Sequence, residues 1–182
     1  MAATDFRAVA GTVEDQYDLE TDIPDMPSEQ YGFQDFAAAF EDDAYQDVTV
    51  ARMGYTETAT EGFLATEGLA SCIGVAAYDA EEQYGCVSHV VSGDAVDGRV
   101  PHLEDALDNH RGDEMEVTYV VGNCPDDDVF EDVVRTVRES DADVSEEFVY
   151  TGRSGSVALD LATGTRYTFD SDDDPHVDSL LP

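Results

Sequence analysis

Lysine and tryptophan are both missing from the 182 residues, and only 8 basic side chains, all arginine, stand against 43 acidic ones. The formal charge is therefore 8 − 43 = −35 near neutral pH. A basic surface that could grip a phosphate backbone is excluded, so nucleic acid is not an expected partner. Cysteine is scarce as well. Cys72, Cys86 and Cys124 are an odd number and form no Cys-x-x-Cys pair, which argues against a disulfide framework and against a zinc ribbon and fits reduced thiols in a cytosol. No apolar run approaches the roughly 18 residues that a membrane span needs. Met1 to Glu20 carries scattered acids in place of a basic-then-apolar leader. The expectation is a cytoplasmic protein without membrane insertion.

The acids divide into 27 Asp and 16 Glu, a balance found where a surface must stay hydrated in multimolar salt. A haloarchaeal cytosol is the simplest source. With 42% apolar and 9% aromatic residues, the chain still holds enough core-forming material for one domain of ordinary size. Residues 1–46 read as an acidic N-terminal extension. Pro24 and Pro27 interrupt it, and Phe33, Phe36, Ala37 and Phe40 recur there at the spacing of one helical stripe. Residues 47–170 read as the folded domain and 171–182 as an acidic tail.

Within the domain, short β-like runs occupy Val48 to Met53, Phe63 to Ala65, Ile73 to Tyr78 and Cys86 to Val91, punctuated by glycines. Leu103, Ala106, Leu107 and His110 share one helical face. Glu116 to Val121 reads as a strand. After Pro125, three aspartates at the positive end of a helix, the stripe Val129, Phe130, Val133, Val134 and Val137, and Arg135 and Arg138 near the negative end agree on a second helix. Strands follow at Glu147 to Tyr150, Val157 to Leu161 and Arg166 to Phe169, the last two joined as a hairpin. The expected fold class is α+β, with mixed, largely antiparallel sheets of β-sandwich type flanked by two or three helices.

Chemistry concentrates in Thr66-Glu-Gly-Leu-Ala-Ser-Cys72-Ile-Gly-Val-Ala-Ala-Tyr78-Asp79 and Gly85-Cys86-Val87-Ser88-His89. A thiol on a glycine-bearing turn before one strand, and a histidine on the next strand, are placed to meet across neighbouring strands. Only a few per cent of an ordinary cysteine is thiolate at neutral pH; an imidazole in reach can take the proton and leave a strong nucleophile. The competing reading is structural, with Cys72 a small buried hydrophobe and His89 a satisfied core histidine.

These residues resemble the CheD family of chemoreceptor glutamine deamidases. The family carries Thr-x-Gly-Leu-Gly-Ser-Cys-Val-x-Val-x-x-Tyr-Asp and then Gly-Gly-Met-x-His on the following strand. Thr66, Gly68, Leu69, Ser71, Cys72, Val75, Tyr78, Asp79, Gly85 and His89 occupy those places, with the 6-residue step from Thr66 to Cys72 and the 17-residue step from Cys72 to His89 kept. Val50-Ala-Arg-Met-Gly54 resembles the family's first strand and its exit. The likeness is specific over 48–92 and weak to about 170. Ser156 stands where the family has an arginine, the family's Gly-Gly-Ala and Ile-Gly-x-Arg-Asn segments have no counterpart, and Val121-Gly-Asn-Cys124-Pro replaces them. These departures fall in loops, where substrate choice resides.

The resemblance implies a cysteine-dependent amidohydrolase in which Cys72 is the nucleophile, His89 the base, and Thr66 sets the imidazole or binds substrate. Protein glutamines, those of chemoreceptor cytoplasmic helices in particular, would become glutamate with release of ammonia. The alternative is a non-catalytic CheD-like adaptor that binds a chemotaxis receptor or a signalling phosphatase through the N-terminal helix. No cofactor and no metal is expected. Cys86 and Cys124 are read as packing residues, Ser71 as structural, and His102, His110 and His176 as surface residues. The aspartate runs 126–128 and 172–174 lack the spacing of a calcium loop and read as solvated surface. Oligomeric state is left open.

Overall fold

The computed structural model describes residues 48–110, 114–121, 127–151, 155–170 and 178–179. The stripe at Phe33 to Phe40, Cys124 and most of the acidic tail lie outside them. In chain order the elements are β1 (Val48–Val50), β2 (Tyr55–Ala59), β3 (Phe63–Thr66), β4 (Ile73–Asp79), β5 (Tyr84–Val90), α1 (Pro101–Asp108), β6 (Met115–Val121), α2 (Asp127–Glu139), β7 (Val144–Thr151), β8 (Gly155–Asp160), β9 (Arg166–Asp170) and β10 (Asp178–Ser179).

The strands form two five-stranded sheets, ordered β2-β5-β4-β6-β7 and β1-β3-β8-β9-β10. Both are mixed: β6 with β7 and β1 with β3 run parallel, and the remaining neighbours antiparallel. The class is therefore α+β, with two helices among the described residues.

The first sheet is the middle layer. On one face Ile73, Val75, Cys86 and Val90 pack against Leu103 and Leu107 of α1 and Phe130, Val133 and Val137 of α2. On the other, Ala76, Val87 and Val120 meet Leu64, Val157 and Leu159 of the second sheet. Every residue of β4 is buried, which explains why its sequence is a nearly continuous apolar run without polar alternation. α1 begins at Pro101, whose fixed φ suits a first helical position. The β8–β9 turn is held by Asp160, whose carboxylate accepts from the Ala162 N–H at 2.9 Å and the Thr163 hydroxyl at 2.8 Å.

β2 was not foreseen. Its sequence Tyr-Thr-Glu-Thr-Ala lacks the apolar alternation of a half-buried strand because it lies at the edge of its sheet, where each face is only partly covered and no residue is fully buried.

Candidate active site

Thr66 ends β3 in one sheet and His89 lies near the end of β5 in the other; both side chains point into the space between the sheets. They meet there, with Thr66 Oγ1 at 2.8 Å from His89 Nδ1. The same hydroxyl donates to the Ala51 carbonyl at 3.0 Å. A hydroxyl has one proton to give, so toward the imidazole it can only accept. The neutral ring therefore carries its proton on Nδ1 and its lone pair on Nε2. That Nε2 is buried and has no hydrogen-bond partner among the described residues. Burial holds His89 below the usual imidazole range, and the Asp94 carboxylate opposes this. The residue is thus an uncharged base at neutral pH, with its accepting nitrogen free.

Cys72 lies in the crossing from β3 to β4, where its N–H bonds the Leu69 carbonyl at 3.3 Å. Gly74 pairs with His89 across the β4–β5 ladder, and Cys72, two residues before Gly74, is buried in the same inter-sheet cluster as Leu69 and Val87. Cys72 thus sits in the bend one residue before the β4–β5 ladder, on the side of the sheet toward which His89 points. No hydrogen bond joins sulfur to Nε2 in this resting arrangement; such bonds commonly tighten only when substrate arrives. Two glycines shape the crossing. Gly68 takes a φ of +72°, which side-chain-bearing residues rarely adopt. At Gly74 a Cβ would come within 2.7 Å of Leu69 Cδ1 and 3.3 Å of Val157 Cγ1, so the space beside the imidazole is already filled by those two side chains.

The other sequence candidates separate cleanly. Cys86 is fully buried on the helix-facing side of β5, and burial pushes its thiol pKa up to about 12. It is an inert packing residue. Ser71 is exposed. The expectation of a surface position fails for His110, whose side chain is buried with Nε2 at 2.6 Å from Asp79 Oδ2. Asp79 in turn accepts the N–H groups of Glu81 and Glu82 at 2.7 and 3.1 Å; these bonds and that to His110 hold its carboxyl below the usual range against the effect of burial. Asp79 thus closes the β4–β5 turn.

His102 is partly buried on the helix side of β5, with Nδ1 at 2.8 Å from Thr56 Oγ1 and Nε2 at 3.4 Å from Asp94 Oδ2. Sequence reasoning missed this cluster because its members come from β2, α1 and the loop between β5 and α1. A polar cavity of about 390 Å³, lined by Tyr78, Asp79, Glu81, Glu114 and Glu116 among others, opens at the far end of β4. Six residues of strand, roughly 20 Å at 3.3 Å per residue, separate it from Cys72. Among the described residues no group of three or more His, Cys, Asp or Glu side chains could hold a metal ion, and no helix is long and apolar enough to cross a membrane.

No protein-family model matches the chain and no curated protein matches its sequence.

Three expected results follow from this geometry. Iodoacetamide should alkylate Cys72 much faster than Cys86, read by peptide mass spectrometry, because Cys72 stands beside a base and Cys86 is sealed in the core. The Cys72 rate should fall on acidification with a midpoint below the ordinary imidazole value of 6.5, since a depressed pKa keeps His89 unprotonated further into acid. Replacing Thr66 by Val keeps the volume but removes the acceptor that fixes the Nδ1–H tautomer. The alkylation rate of Cys72 should drop, with Thr66→Ser retaining most of it.

Proposed function

We propose that the protein is a cysteine-dependent amidohydrolase of the CheD type that converts glutamine side chains of a protein substrate, such as chemoreceptor cytoplasmic helices, to glutamate in the cytoplasm. The observation that carries this reading is the chain from the Ala51 carbonyl through Thr66 to His89. It spends the Thr66 proton away from the imidazole and leaves Nε2 as a buried acceptor on the side of the sheet where Cys72 sits. A histidine serving only the core would be expected to have both nitrogens paired.

In the reaction, Nε2 takes the Cys72 thiol proton as sulfur attacks the carboxamide carbon, and the carbonyl oxygen takes the negative charge. Collapse of the tetrahedral adduct breaks the C–N bond. The imidazolium returns its proton to the departing nitrogen, which leaves as ammonia. Water, giving a proton to the same Nε2, then attacks the γ-glutamyl thioester, and the thiol is released as glutamate forms. Thr66 acts by positioning: it keeps Nδ1 protonated and the ring in place through both steps, as a third member orients the base in hydrolase triads.

The test is ammonia release from a glutamine-bearing receptor peptide at molar KCl. Stoichiometric conversion of glutamine to glutamate supports the hydrolase. A wild-type protein that binds the receptor yet releases no ammonia from any glutamine substrate would establish the adaptor in its place.

A further inference from the structure

Four large apolar side chains stand exposed among the described residues: Val50 at 41%, Met53 at 62%, Tyr55 at 62% and Val96 at 59%. Single exposed apolar residues are ordinary. Here three of the four fall within six consecutive residues, and those six adjoin the candidate site. The Gly54 N–H donates to the carbonyl of His89 itself at 2.8 Å, and the Tyr55 N–H closes the turn onto the Arg52 carbonyl at 2.9 Å. Tyr55 is then the residue paired with His89 across the β2–β5 ladder.

Side chains alternate along a strand, and paired residues share a face. Thr56, next along β2, faces the helices, where its hydroxyl bonds Ser88 at 2.9 Å and His102 at 2.8 Å. Tyr55 therefore faces the other way, on the His89 side. Across the sheet this row reads Tyr55, His89, Gly74, Val120. Beyond His89 the way is shut, because Leu69 and Val157 fill the place over Gly74. Thr66 occupies the Nδ1 side of the ring. β2 is the edge strand of its sheet, so Tyr55, 62% exposed, is the side chain that stands between solvent and the outer flank of the buried His89.

We infer that Tyr55, with Met53 beside it, is the substrate-recognition lip of this site, and that it selects glutamines with an apolar neighbour in the substrate chain. This rests on the amidohydrolase reading and adds to it the residue that selects the substrate. A tyrosine ring offers a large, stiff apolar surface with a polar tip, and a methionine thioether conforms to varied partners. Both suit a side chain flanking the reacting amide. An acidic neighbour would be disfavoured by a chain of net charge −35.

The experiment uses the full chain at molar KCl and two peptides that differ only in the residue next to the glutamine, Leu in one and Ser in the other. Wild type should prefer the Leu peptide. Tyr55→Ala should raise KM for that peptide about tenfold, with kcat changed far less, and erase the preference. Tyr55→Phe should restore both. Alkylation of Cys72 by iodoacetamide, which needs no lip, should stay within about twofold of wild type in Tyr55→Ala, a readout that separates recognition from damage to the site. An active Tyr55→Ala protein that keeps the wild-type KM and preference overturns this inference alone. A wild-type protein that releases ammonia from neither peptide overturns the amidohydrolase reading and the inference with it.

Discussion

Cys72→Ala and His89→Ala should each abolish ammonia release from a glutamine substrate, by on the order of 10³-fold or more, and the double variant should be no worse than either single one. The reason is mechanistic unity. Sulfur without Nε2 has no acceptor for its proton, and Nε2 without sulfur has no nucleophile to activate, so the two losses do not add. Stability should behave differently. Cys72 is buried at the margin of the inter-sheet cluster, so trimming it to Ala removes one sulfur and leaves a small void costing roughly 1 kcal/mol. His89→Ala removes a whole buried ring together with the Nδ1–H bond to Thr66 Oγ1 and should cost more. Thermal melts of each variant alongside kcat separate the two effects; a Cys72→Ala protein with wild-type turnover would sink the thiol mechanism.

The fold itself should disappear when salt is withdrawn. Arg99, Arg135, Arg138 and Arg166 each have a carboxylate partner, Glu104, Glu131, Glu147 and Glu116 respectively. With 43 acids to 8 arginines, even complete pairing leaves 43 − 8 = 35 carboxylates uncompensated. At 1 M salt the screening length is about 3 Å and these charges hardly sense one another; at 0.01 M it is about 30 Å, which spans the domain, and the repulsion is summed over the whole surface. Circular dichroism at molar KCl should show a cooperative melt, and dialysis to millimolar salt should broaden or abolish it. A melting temperature that stays constant across that range would mean the carboxylates carry no such cost.

Most strands were legible because burial writes itself into composition. β4 opens with the apolar run Ile73 to Ala77 because it has a sheet face and a helix face to satisfy, and α2 carries an apolar stripe with Arg135 and Arg138 toward its C-terminal end. The spacing of Cys72 and His89 was legible too: a seven-residue strand, a turn and a second strand account for the 17 residues between them. The contact between Thr66 and His89 was not legible from periodicity, since it joins different sheets; it was suggested only by the motif resemblance. Edge strand β2 was invisible for the opposite reason, having too little buried surface to demand apolar residues. His110 carries its own signal: the sequence puts it on the face of Leu103, Ala106 and Leu107, and its side chain is buried just past the end of α1.

The double-sided burial of β4 has a kinetic consequence. Its backbone N–H groups are laddered to β5 on one side and β6 on the other, with packed side chains above and below, so no local opening exposes them to solvent. Amide protons of Val75 to Tyr78 should exchange with deuterium only when the entire domain opens, at the slowest rate in the molecule. The strand that flanks His89 therefore reports global stability directly. Lowering the salt should accelerate exchange at β4 in step with the loss of the cooperative melt, one tracking the other.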